Sequence, residues 1–183
     1  MSGSVRVVVD AMGGDHAPEV PVRGAIDALK ESGDIYICLV GVKETIEKEL
    51  DKYEYPKDRL EIVPASQIIE TAEPPVMAIR SKKDSSIVVG QTMVRKQEAD
   101  AFVSSGSTGA VLVGGQVIVG RIKGVERAPL APLIPTARGM SLLIDCGANV
   151  DARPSHLVQF AKMGSIYMEN IVGVDKPRVG IVN

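Results

Sequence analysis

The sequence has no tryptophan, two phenylalanines and four tyrosines, so aromatic residues fill only 3% of its 183 positions. Proteins that hold single-stranded nucleic acid stack bases on such rings, and this scarcity excludes that class. Charge of one sign is also missing, with 21 Lys and Arg against 23 Asp and Glu and a formal net charge of −2. A general nucleic-acid binder needs a basic footprint that this balance does not supply. The two cysteines, Cys38 and Cys146, lie far apart in apolar stretches, which excludes a disulfide framework or a zinc spacing. No His/carboxylate spacing typical of a metal site occurs, so no metal and no cofactor are expected. Arg121, Lys123, Glu126 and Arg127 interrupt the longest apolar stretch before it reaches membrane-spanning length. Met1–Ser4 has neither the basic start nor the apolar core of a secretion signal. The expectation is a soluble cytoplasmic protein.

What is present is 45% hydrophobic residue, mostly Val, Ile, Leu and Ala, with 18 Gly gathered at the ends of apolar runs. β-Branched runs at 5–10, 35–40, 60–63, 101–104, 140–145 and 178–183 predict strands. Between them, helical spacing predicts helices over 18–32, 43–53, 76–80, 86–98, 108–122 and 154–171. Strand–helix alternation with apolar strands predicts an α/β fold, a mostly parallel sheet with helices on both faces. A strand at the end of the sequence, with nothing after it to complete the βα unit, predicts that residues 1–183 are the N-terminal portion of a longer chain.

Open α/β sheets bind ligands beyond the carboxyl ends of their strands. Three such ends carry unusual polar sequences here. The first is Asp10-Ala11-Met12-Gly13-Gly14-Asp15-His16, where His16 is the side chain suited to exchanging protons near neutral pH, unless it is a structural histidine after a turn. The second is Ser104-Ser105-Gly106-Ser107-Thr108-Gly109, opening onto an apolar helix. There, the Gly backbone N–H groups of the Ser105–Gly109 turn and the hydroxyls of Ser107 and Thr108 suit a phosphate or an oxyanion. The same turn is equally read as a tight turn with Ser107 or Thr108 as the helix N-cap. It is neither a Walker A loop nor a dinucleotide GxGxxG. The third end is Asp145-Cys146-Gly147-Ala148-Asn149. Asp10 and Asp145 both close strands, where an aspartate most often holds turn N–H groups; orienting His16 or binding a cation are the other roles open to them.

Other candidates read more plainly. Cys146 follows Asp145, whose charge disfavours a thiolate, so a small buried side chain is expected there; Cys38 is expected in the core. His156 reads as a surface or capping residue near a helix start. Arg80, Lys82, Lys83, Arg121, Lys123 and Arg127 flank the loops, and one or two of them would supply charge to a bound phosphate. The Met- and Val-rich stretch Ile87–Val94 suits either an acyl groove or the core, and core is the better reading.

Taken together and in this order, the motifs resemble the bacterial phosphate acyltransferase family of phospholipid synthesis. The resemblance rests on Asp10 to Pro18, Lys82-Lys83-Asp84-Ser85-Ser86, Ser105-Gly106-Ser107-Thr108-Gly109-Ala110, Gly120–Gly124 with Arg127–Ala131, the Asp145–Asn149 turn and Pro177–Gly180. Two positions depart from its pattern. Ser107 stands where the family usually has Asn, and Cys146 where it usually has a small apolar residue, which argues against a catalytic thiol.

The resemblance implies a three-layer α/β/α fold with a Rossmann-like sheet, related to phosphotransacetylase and isocitrate dehydrogenase-like folds. It implies an enzyme that makes acyl phosphate from acyl-acyl carrier protein and inorganic phosphate, without cofactor or metal. In that setting His16 acts on a proton, held by Asp10 or Asp15, while Gly13, Gly14, Ser105, Gly106, Ser107, Thr108, Gly109 and Asn149 surround the phosphate or thioester. It further implies a homodimer, peripheral contact with the membrane through the part of the family's chain beyond residue 183, and a membrane glycerol-3-phosphate acyltransferase as consumer of the product. Two alternatives are a phosphotransacetylase acting on acyl-CoA and a non-catalytic acyl or phosphate sensor.

Overall fold

The β-branched run Val5–Asp10 forms β1, and it stands at the middle of a four-stranded parallel sheet in a computed structural model that describes residues 4–182. Two units divide the chain, Met1–Gly120 and Arg121–Asn183. In the first unit β1 is followed by α1 (Glu19–Glu31), β2 (Ile35–Gly41), α2 (Lys43–Leu50), β3 (Leu60–Pro64), α3 (Pro75–Ser81), α4 (Ser86–Arg95), β4 (Ala101–Val103) and α5 (Thr108–Gly114). The strand order is β3-β2-β1-β4, with Val8 opposite both Cys38 and Phe102.

Successive side chains of a strand face opposite sides, so one strand feeds two layers. Ile37 and Leu39 of β2 pack with Val22, Ala25 and Ile26 of α1 and Ile46 of α2. Val8, Cys38 and Val40 point the other way and pack with Met93 of α4. Such strands, buried on both faces, read as continuous apolar runs, which is why the sequence shows them clearly.

On the second face the sheet carries a polar corner that the sequence does not announce. The Arg6 guanidinium pairs with Glu61, lies 4.7 Å from the centre of the Tyr36 ring, and donates through Nε to Cys38 Sγ at 3.2 Å. Cys38 in turn donates to Glu61 Oε1 at 3.1 Å. Burial, with Glu61 beside it, pushes the Cys38 thiol up to about 11.

Several helices end sooner than their periodicity suggests. α4 stops at Arg95, and Gln97 takes a positive φ of 61°. The predicted helix over 108–122 is α-helical to Gly114, widens over Gly115–Val119, and ends where Gly120 N donates to Gly115 O.

The second unit departs further from expectation. Instead of a strand over 140–145 in a parallel sheet, an antiparallel hairpin forms between β5 (Leu133–Thr136) and β6 (Gly139–Leu142). Its turn closes on Gly139, whose φ of 126° suits glycine, and Pro135 is tolerated because a two-stranded ribbon has only edge strands. Pro154–Tyr167 forms α6, continued by a widened turn over Met168–Val172. The strand expected at 178–183 is not formed over residues 178–182, and residue 183 lies outside the described residues. The β-branched composition is present there, but a strand also needs a neighbour to receive its hydrogen bonds. Among the described residues, no helix is long and apolar enough to cross a membrane.

Candidate active site

At the carboxyl ends of β1 and β4 two loops meet. Asp10, the last residue of β1, is 1% exposed, and both its oxygens are engaged. Oδ1 accepts the Met12 N–H at 3.0 Å, the Asx-type turn that aspartate favours at a strand end. Oδ2 accepts the Ser104 hydroxyl at 2.7 Å, and Ser104 Oγ itself accepts the Gly106 N–H at 3.0 Å. This relay, from backbone N–H through hydroxyl to carboxylate, polarises each bond in the chain. Ser105 adds a second tie, donating to the Gly13 carbonyl at 2.9 Å.

Gly13 and Gly14 make the junction possible. A Cβ on Gly13 would lie 2.5 Å from Asp10 Oδ2 and 2.8 Å from Gly106 N; one on Gly14, at φ 97°, would lie 2.9 Å from Ser105 Oγ. The glycines therefore let one loop approach the other. Asp15 and His16 follow on the exposed rim. His16 is anchored through its carbonyl, which accepts the Val20 N–H at 3.0 Å. Among the described residues, neither Asp10 nor Asp15 makes a hydrogen bond to the His16 ring.

The turn after β4 sets α5. Ser107, buried, caps the helix by accepting the Ala110 N–H at 3.3 Å, while Thr108 beside it is exposed. Gly109 has no room for a side chain, since a Cβ would meet Pro75 Cγ of α3 at 2.6 Å. Gln91 of α4 fixes the next turn by donating to the Val111 carbonyl at 2.8 Å. Of the predicted cradle residues, Ser105 and Gly106 thus join the loop junction, Ser107 and Gly109 seat the helix, and Thr108 presents a hydroxyl to solvent.

Asn149 lies in the second unit. Asp145 gathers the N–H groups of Leu130 at 2.7 Å, Ala148 at 3.3 Å and Asn149 at 2.7 Å. Asn149 Nδ2 donates to Asp145 Oδ2 at 3.1 Å and to the Ala128 carbonyl at 3.2 Å, so both amide hydrogens are spent in the turn. Burial opposes ionisation of Asp145, but these donors outweigh it and hold the carboxyl below its ordinary value. Cys146 is exposed, against the expectation of a buried side chain, because it sits at the tip of this turn.

His156 is a capping residue as read, and a buried one. Its Nδ1 accepts the Arg153 N–H at 3.1 Å, so the proton is on Nε2, which donates to Glu126 Oε2 at 3.1 Å. Lys82 is committed as well, to Glu73 and to the Ile68 carbonyl. Ser104 belongs to the polar strand end read from the sequence but has no role of its own in that reading; the signal for one is its place at the end of a strand that neighbours the one ending in Asp10.

A parallel sheet between two helical layers, with polar loops meeting at its carboxyl edge, defines a three-layer α/β/α protein. A phosphotransacetylase from Streptococcus pyogenes superposes with a TM-score of 0.69 at 16% identity, over 94% of this chain and 55% of that one. A second, from Staphylococcus aureus, gives 0.64 at 17%, over 90% and 53%. The chain belongs to the fatty acid synthesis protein family, which it matches over residues 5–183. Proteins named phosphate acyltransferase from Clostridium novyi and Alkaliphilus oremlandii are 51% and 50% identical over 98% of the chain. It spans about half of their length, 54% and 53%. The family read from the motifs is therefore borne out.

Proposed function

We propose that the full-length protein transfers an acyl group from acyl-acyl carrier protein to inorganic phosphate, releasing acyl phosphate and the free carrier thiol. The observation that carries this reading is the locked pair of loops at Asp10–Ser104 and Gly13–Gly106, beside which Asp15 and His16 on one loop and Thr108 on the other are exposed. The names of the relatives and of the family support the acyl transfer and the phosphate; the carrier-protein donor is the proposal's own addition.

The reaction needs no covalent enzyme intermediate. A phosphate oxygen attacks the thioester carbonyl, a C–O bond forms, and the C–S bond breaks with its electron pair leaving on sulfur. The thiolate then takes a proton, supplied by His16 or by the phosphate itself. What the protein contributes is proximity, worth up to about 7–11 kcal/mol in favourable cases, and donors for the developing oxyanion. Thr108 Oγ1 is an exposed hydroxyl donor beside the loop pair, and Asp15, next in sequence to His16, orients its ring when substrate binds. Homodimer formation, peripheral membrane contact and delivery of the product to a membrane glycerol-3-phosphate acyltransferase belong to this reading.

Replacing His16 with Ala in the full-length enzyme tests it, with hydroxylamine trapping of acyl phosphate as the assay. A fall of about 10²–10⁴-fold is expected for loss of a general acid. Near wild-type turnover would remove His16 from the mechanism. Turnover on acyl-CoA exceeding that on acyl-acyl carrier protein would reassign the enzyme as a phosphotransacetylase, and saturable binding without product would make it a sensor.

A further inference from the structure

An apolar groove of about 420 Å³ runs along the α1 face of the sheet and ends at the loop pair. Its floor is Val7 and Val9 of β1 with Val103 of β4. One wall is α1, through Pro21, Gly24 and Ala28. Its mouth is made by Asp10, Ser104 and Ser105, the residues that join the two loops.

Within this unit Val103, on the edge strand, is 53% exposed along the groove. The residues α1 turns toward the groove are small. A helix carries one face at spacings of three and four, and positions 21, 24 and 28 follow that spacing, away from the buried Val22, Ile26 and Leu29. Gly24 has nothing within 4 Å of where its Cβ would stand, so the space is open and no part of the unit fills it. Its volume falls in the range of about 300–1,000 Å³ usual for small-molecule sites. From Asp10 back to Val7 the floor extends about 10 Å, at about 3.3 Å per residue.

We propose that this groove receives the hydrocarbon tail of the acyl group, with the thioester at the Asp10–Ser104 mouth and the chain lying over Val9, Val103 and Val7 against Gly24 and Ala28. The inference rests on the acyl-transfer reading and adds the place of the chain. An apolar trough that opens at the reacting end fits a substrate with one polar terminus and an inert tail. Phosphate, the other substrate, has no use for such a lining. The small residues of α1 act as a gauge: a larger side chain at either position shortens the space.

Two measurements on the full-length enzyme test this. The first compares kcat/KM for butyryl, octanoyl, dodecanoyl and hexadecanoyl thioesters in the wild type, Gly24→Leu and Ala28→Leu. In the wild type, preference is expected to rise by about fourfold per methylene until the groove is full. In either variant the ratio of the long to the short donor is expected to fall by on the order of 100-fold, the effect of excluding several methylenes. Arg23→Ala, on the outer side of α1, is expected to leave that ratio unchanged. A ratio that is unmoved in both Leu variants overturns the proposal.

The second measurement does not depend on turnover. A fatty acid carrying a terminal diazirine is photolysed on the protein, and labelled peptides are mapped by mass spectrometry. Labelling within 21–28 and 101–105, lost in Gly24→Leu, is expected. Labelling elsewhere, or none, overturns the proposal, including the case in which another part of the full-length chain occupies the groove. If no donor gives acyl phosphate but labelling falls in the groove, the acyl-transfer reading fails and the acyl site stands.

Discussion

Gly13 and Gly106 stand back to back: a Cβ on Gly106 would fall 3.1 Å from Gly13 Cα, and one on Gly13 would fall 2.8 Å from Gly106 N. They are 93 positions apart in sequence, and this contact joins the loops that follow β1 and β4. Gly13→Ala and Gly106→Ala are each expected to destabilise the first unit by about 1–3 kcal/mol, the usual cost of forcing atoms into a filled space. Chemical denaturation followed by circular dichroism measures this. Gly24→Ala supplies the contrast, since its Cβ meets nothing and alanine is the better helix former; a gain of about 0.5–1 kcal/mol is expected.

Asp10 holds the same junction through its side chain. Asp10→Ala leaves the Met12 N–H and the Ser104 hydroxyl without their acceptor in a buried place, at an expected cost of about 1–3 kcal/mol. Asp10→Asn keeps a carbonyl oxygen for Met12, and the Ser104 hydroxyl can turn to accept from the new amide. The asparagine variant is therefore expected to melt between the wild type and Asp10→Ala. Equal melting of the two variants would show that charge, and not hydrogen bonding, is what the junction uses.

The Asp145 turn predicts a pH dependence. Its folded value is lowered below the unfolded one, so its contribution is fully present above about pH 4, the ordinary aspartate range. It is lost as the pH falls through the lowered folded value. Asp145→Asn is expected to flatten that acid limb of the stability curve, leaving stability near neutral pH reduced. Urea unfolding between neutral and acidic pH, in wild type and variant, measures both effects.

The two thiols are expected to differ. Cys38 is fully buried, its thiol held up at about 11, whereas Cys146 is exposed at a turn. Ellman's reagent near neutral pH is expected to titrate Cys146 in the folded protein and both cysteines after unfolding. Prompt reaction at Cys38 would mean that the Arg6–Glu61 corner opens readily. Replacing Glu61 by Gln breaks the ion pair and is expected to speed that reaction.

What the sequence made legible follows from how far each signal reaches. β2 was readable because a strand buried on both sides leaves an unbroken apolar run, β1 and β3 because their Val, Ile and Leu outweigh the single charged residues Arg6 and Glu61, and α1 because Val22, Ala25, Ile26 and Leu29 recur at helical spacing. The hairpin was not, since its strands carry Pro135 and Gly139 and owe their pairing to each other. Residues 178–182 carry strand composition without a strand partner, which no local pattern discloses. The candidate site divides in the same way. Asp10, Gly13 and the Ser104–Gly109 turn stood out as polar, glycine-rich strand ends. That Gly13 and Gly106 serve contact between loops, and that Gly109 yields to Pro75, depends on neighbours distant in sequence.

The buried Asp10–Ser104 relay also sets which changes the protein tolerates. Because the carboxylate and the serine are consumed in fastening the loops, a substitution at either disturbs both loops together. Asp15, His16 and Thr108 ride outside that fastening and can be exchanged one at a time without loosening it. A substitution at those outer positions is therefore expected to show in turnover while the fold keeps its stability, whereas one at the inner pair shows in stability as well.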